Sequence, residues 1–223
     1  MVKQSPVAVA GVAWPDARWD QLAAEALARC DALARCSDDG QRIHRLFCSP
    51  AMSDAHRLAS QWLTEAGLAL RVDAAANLVG RWESPGCDPR RRLILGSHLD
   101  TVIDAGRYDG VLGVVLGIAV ASALAEIGAR LPWALEVYGF SDEEGVRFGV
   151  PFLGSRALAG TLDAALLRLC DPAGTSMAQA LRDFGVDPLE TPRVAASGDV
   201  VGYIEAHIEQ GPLLEMIGAP LGV

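Results

Sequence analysis

Four side chains of this sequence belong to residue types that ligate metals, and they fall at the ends of apolar runs: His98, Asp109, Glu144 and His207. His98 follows the apolar residues 93–96, and Glu143-Glu144 follows a second apolar run, residues 133–140. Asp109-Gly110 opens a long apolar stretch, and His207 sits in a third run, residues 201–208. Imidazole and carboxylate together make a borderline-to-hard donor set, suited to zinc or manganese. Asp109 has two oxygens and can bridge two ions, between which a water becomes acidic enough to act as a nucleophile near neutral pH. Of two adjacent carboxylates, one can ligate while its neighbour takes and returns a proton. Glu143 beside Glu144 suits that division of labour.

These groups act together only if a scaffold gathers the strand ends. Residues 93–96 and 131–140 are continuous apolar runs of the kind buried in a parallel sheet. Between them, residues 111–127 are apolar nearly all round, as in a helix buried on most sides. Strand, helix and strand at this spacing form a βαβ unit. Ligands gather beyond the carboxyl ends of strands in such sheets, so His98, Asp109 and the Glu143-Glu144 pair are expected at one edge.

Upstream, Trp19, Leu22, Ala26, Cys30 and Leu33 recur at helical spacing. Ser53 is the expected N-cap of a second helix, which Gly67 stops. Leu68, Leu70 and Val72 alternate as a half-buried strand, paired with residues 77–82 across a turn at 74–76. Arg90-Arg91-Arg92 reads as a solvated strand entrance. Beyond Gly145, short helices are expected over 154–160, 163–169 and 176–184, then a loop over 189–198. Gly211-Pro212 opens a last helical turn. The fold class is α/β, a mixed, largely parallel sheet flanked by helices, preceded by a loosely ordered lead over residues 1–14.

Composition narrows the function classes. The chain has 223 residues, 51% of them hydrophobic and 21% charged, with a net charge of −9, which argues against a nucleic-acid partner. Its five cysteines are irregularly spaced with no CxxC pair, which fits free thiols in a reducing cytoplasm. The longest apolar run, residues 111–125, is short and interrupted by glycine, so no membrane span is expected. His44 and His56 lie away from the strand ends and read as structural or surface residues.

Gly96-Ser97-His98-Leu99-Asp100-Thr101-Val102, followed by Gly106-Arg107-Tyr108-Asp109-Gly110-Val111-Leu112-Gly113, resembles the metallopeptidase M20 superfamily. Asp142-Glu143-Glu144-Gly145-Val146-Arg147-Phe148, Phe152-Leu153-Gly154-Ser155 and Glu205-Ala206-His207-Ile208-Glu209-Gln210-Gly211-Pro212 are similar to its amidohydrolase branch. That branch holds allantoate amidohydrolase, N-carbamoyl-L-amino-acid hydrolase and β-ureidopropionase. The resemblance runs from about Arg42 to the end of the chain. It implies a zinc-peptidase-like catalytic domain with two divalent metals, zinc or manganese. His98 and His207 would bind one, Glu144 the other, and Asp109 would bridge them. Asp100 would orient His98, Glu143 would be the general base and acid, and Gln210 would touch the substrate.

The reaction implied is hydrolysis of a ureido or carbamoyl C–N bond, releasing ammonia and carbon dioxide. Allantoate is the first substrate expected, because Arg45-Leu46-Phe47-Cys48-Ser49-Pro50 and the run 106–114 look most like that group. The alternatives are an N-carbamoyl-L-amino-acid hydrolase and an inactive fragment of such an enzyme; Glu209-Gln210-Gly211-Pro212 disfavours an aminopeptidase. The complete enzymes are expected to be homodimers. They are also longer, with a lid or dimerisation domain inserted after the Gln210 block and one more histidine in the returning segment. Here no histidine follows His207, and the chain closes on apolar Leu221-Gly222-Val223. The resemblance thus makes residues 15–223 a partial catalytic domain, incomplete at the C-terminus. One tight metal site is expected, with a weak second site and little activity from this chain alone.

Overall fold

Local signals set most of the element order in the computed structural model, which describes residues 16–196 and 199–223. The lead expected over 1–14 lies outside the described residues. The helices are α1 (Asp16–Ala34), α2 (Pro50–Glu65), α3 (Val111–Glu126), α4 (Leu153–Leu158), α5 (Met177–Asp183) and α6 (Leu213–Ile217). The strands are β1 (Ala69–Val72), β2 (Leu78–Trp82), β3 (Asp88–His98), β4 (Trp133–Phe140) and β5 (Asp199–Ile204). They form one sheet in the order β1-β2-β4-β3-β5. β4, β3 and β5 run parallel, while β1 and β2 join antiparallel. The sheet is therefore mixed, and its parallel part carries the site.

α3 is the crossover between β3 and β4 and buries Val111, Val114, Val115, Ile118 and Ala121. Together with Leu78, Leu135 and Val137 of the sheet and Ala26, Cys30 and Leu33 of α1, these make the main core. Val79, Ile94, Tyr138 and Phe140 cluster on the opposite face, against Leu158. Gly117 allows the close approach of helix to sheet, since a Cβ there would lie 3.0 Å from Val137. Among the described residues no helix is long and apolar enough to cross a membrane.

Several expectations are corrected. Ser49, not Ser53, caps α2: its side chain accepts from the Met52 N–H, with Pro50 in the first turn, where a proline loses no hydrogen bond. β1 is an edge strand exposed along its length, so Leu70 and Val72 are not half-buried. β3 begins at Asp88, much earlier than residue 93, with a register shift between Asp88 and Arg92. The arginine triplet thus lies within the strand. Arg92 is buried, 3.5 Å from the buried Glu136, a carboxylate that also pairs with Arg81 at 2.9 Å. Arg90 and Arg91 stay exposed, as expected of a solvated strand entrance, and only Arg92 is drawn out of solvent, to compensate that buried charge. Residues 188–194 are 3-10 helical, capped by Asp187, rather than a loop. β5 stops at Ile204, so His207 lies beyond the strand and not within it.

Candidate metal centre

His98 ends β3 and is buried. Its Nδ1 lies 2.9 Å from the backbone carbonyl of Asp100. A carbonyl only accepts, so in the neutral ring Nδ1 carries the proton and Nε2 presents its lone pair. His207 repeats the arrangement, with Nδ1 2.8 Å from the Ile208 carbonyl. Both Nε2 atoms face Asp109 Oδ1, at 3.9 Å from His98 and 3.3 Å from His207. The two rings stack with centroids 5.9 Å apart. Three lone-pair donors converge here, an arrangement that a cation placed among them would satisfy. Two imidazoles and a carboxylate match the three protein ligands usual for a catalytic zinc. The residues therefore fit a divalent metal.

The approach of Asp109 to His98 depends on Gly110. Its φ is +65°, and a Cβ would sit 2.4 Å from the His98 ring. Asp109 thereby leads into α3 at the edge where β3 ends. Gln210, with its backbone in the left-handed region, donates its carboxamide N–H to both Asp109 oxygens at 2.9 Å.

A second donor group is His98, Glu143 and Glu144. Glu143 Oε2 lies 3.8 Å from His98 Nε2. The backbone of both acids is held by Asp100, whose carboxylate accepts from the Glu143 N–H at 3.1 Å and the Glu144 N–H at 3.0 Å. This refines the expected role of Asp100. It orients His98 through its carbonyl, while its carboxylate, 3.8 Å from His98 Nδ1, fixes the acidic turn. Burial pushes the Glu143 and Glu144 carboxyls up, with His98 opposing. Asp142 is pushed up to about 8 by burial, with the Asp100 charge adding to it. A carboxyl lifted towards neutrality is better matched to proton transfer.

The structure thus brings together all seven residues named from the sequence: His98, Asp109, His207 and Gln210 on one side, Glu143, Glu144 and Asp100 on the other. Sequence reasoning missed Asn77. Fully buried, it accepts from the Ser141 N–H at 2.9 Å and donates to the Gly154 carbonyl at 3.2 Å, so it anchors the turn after β4. An Asn after a turn of alanines carries no signal of that reach. Arg45 is also structural: buried, it caps the end of α1 by donating to the Leu33 and Cys36 carbonyls at 2.8 Å. His44 and His56 lie outside both donor groups.

The sequence profile of peptidase family M20/M25/M40 matches residues 94–222, more than half of the chain. The chain belongs to peptidase family M20/M25/M40. Within this M20 family it is 44% identical over 204 residues to allantoate deiminase of Arabidopsis thaliana, covering 89% of this chain and 39% of that protein. It is 44% identical over 183 residues to the N-carbamoyl-L-amino acid amidohydrolase of Geobacillus stearothermophilus, covering 81% of this chain and 44% of the relative. A hydantoinase/carbamoylase family amidase from Burkholderia ambifaria superposes with a TM-score of 0.75 at 32% identity, over 87% of this chain and 47% of that one. The chain therefore spans less than half the length of these relatives, and shares the fold over most of its own.

Proposed function

We propose that this M20 chain supplies the metal centre and proton-transfer residue of an amidohydrolase that cleaves a ureido or carbamoyl C–N bond, with allantoate as substrate. The observation that carries the reading is the convergence of His98 and His207 Nε2 on Asp109, with Glu143 beside His98. The similarity to allantoate deiminase supports the substrate. His98, Asp109 and His207 would hold one cation; Glu144, grouped with His98 and Glu143 and with Asp109 as the expected bridge, would offer a second, poorer set. A zinc or manganese ion held there would supply Lewis acidity for a carbonyl oxygen and for water. Glu143 takes the proton from water and delivers it to the leaving nitrogen, and Gln210 contacts the substrate. Asp100 keeps the two acids in place throughout.

Residues 15–223 form part of the catalytic domain in this reading, and the complete protein is a homodimer. Free cysteines support a reducing cytoplasm as its location. N-carbamoyl-L-amino-acid hydrolysis is the second reading, favoured by the Geobacillus relative. A chimera separates them: residues 42–223 replace the matching segment of Arabidopsis allantoate deiminase, and ammonia release is assayed with either substrate and Zn2+ or Mn2+. Release from allantoate that disappears in Glu143→Gln is the expected result. Preference for an N-carbamoyl amino acid selects the second reading, and a fully active Glu143→Gln overturns the role of Glu143.

A further inference from the structure

Beyond the end of β5 the chain carries His207 to Asp109 through irregular backbone, and two contacts set its path. Glu205 accepts a hydrogen bond from Ser97 Oγ at 2.6 Å through Oε1 and one from Tyr203 Oη at 2.6 Å through Oε2. Ser97 is buried and directly precedes His98. Tyr203 lies on β5, its hydroxyl also 3.2 Å from the Gly96 carbonyl and its ring edge-on to Phe140. The second contact is the Ala206 carbonyl, which packs on Gly113 in the first turn of α3; a Cβ there would lie 2.4 Å from that oxygen. One carboxylate therefore ties the β3 end that carries His98 to the segment that carries His207. Bonds from hydroxyls to an ionised carboxylate are short and about twice as strong as neutral ones. A buried hydroxyl such as that of Ser97 also needs a partner.

We propose that Glu205 is a positioning residue of the metal centre: by bridging Ser97 and Tyr203 it sets the place of His207 relative to His98 and Asp109, and governs metal affinity through His207. The inference rests on the metal-centre reading above. Glu205 touches none of the three ligands by hydrogen bond, so its effect must pass through the backbone of residues 205–207. A glutamine keeps an oxygen for one hydroxyl and an amide for the other, and retains the bridge. An alanine loses both ends.

The test is Zn2+ titration of the 223-residue chain in competition with a chromophoric chelator, with thermal melts as the check on folding. His207→Ala is expected to lose most of the affinity. Glu205→Ala is expected to lose about tenfold, in the range seen when groups that orient ligands are removed. Ser97→Ala should lose less in the same direction, and Glu205→Gln should bind close to wild type. Glu205→Ala added to His207→Ala should cost nothing further, which a general loss of fold would not produce. Wild-type affinity in Glu205→Ala, or a loss that adds in full to His207→Ala, overturns the inference. Should Glu205→Ala not fold, Ser97→Ala alone and combined with His207→Ala decides by the same criterion. Wild-type affinity in His207→Ala instead overturns the metal centre itself, so the two failures are distinct.

Discussion

At Gly110 the backbone turns with a φ of +65° while the His98 ring lies against its Cα, so two constraints meet in one residue. Gly128 has nearly the same φ, +62°, with nothing within 4 Å of where a Cβ would be. The pair separates strain from crowding. Alanine at either position carries backbone strain of about 1–3 kcal/mol. Only Gly110→Ala also displaces His98. Thermal melts should show both variants destabilised, and Zn2+ titration should show affinity lost in Gly110→Ala alone; equal affinity in the two variants would sink the crowding argument. The Asp109-Gly110 pair reads as a turn in the sequence. That the glycine faces His98 does not, because the two meet only when β3 and the start of α3 are folded together.

Helix α2 carries a buried histidine that the site does not use. His56 stands edge-on to Phe184 with ring centroids 5.1 Å apart, and its Nδ1 has no hydrogen-bond partner among the described residues. Burial, with the Arg45 charge adding to it, lowers its pKa to about 4 from an ordinary value of 6.5. The folded state therefore resists a proton that the unfolded state accepts. This lowering contributes stability in full above about pH 6.5, and the contribution falls as pH drops towards 4. A shift of this size corresponds to about 3 kcal/mol at most. Urea melts at pH 7 and pH 4.5 should show His56→Leu losing less stability on acidification than wild type. Identical losses would mean that His56 titrates normally in the folded chain.

For the molecule as a whole, a cation held at the proposed His98–Asp109–His207 centre would favour the folded state, which alone gathers the three ligands, and so stabilise it. At a hundred times its Kd that linkage is worth about 2.7 kcal/mol, which for a chain of this size raises Tm by about 5–10 °C. Melts with and without Zn2+ should show the rise in wild type and its loss in His207→Ala. Metal analysis after dialysis should find one tightly held ion per chain, since the second donor group, His98, Glu143 and Glu144, shares its one imidazole with the first and includes the proton-transfer residue Glu143. Two tightly held ions would refute that division. Little ammonia release from this chain alone is expected on the same ground.

Ligand types, their placement after apolar runs and the βαβ unit that gathers them were legible in the sequence, because strand and helix periodicity and Gly or Pro punctuation are local properties. His98, Asp109, Glu143 and Glu144 come from one such unit, and their shared edge follows from its topology. His207 does not belong to it. Its arrival depends on β5 lining up parallel to β3, some hundred residues earlier in the chain, and on Glu205 reaching Ser97 across that gap. Asp100 serving the amides of Glu143 and Glu144, Asn77 holding the turn after β4 and Arg92 meeting Glu136 are likewise contacts between distant segments. A residue's type shows what it can bond to, but which partner lies within reach is set by the packing of the sheet, and that is decided only when the chain has folded.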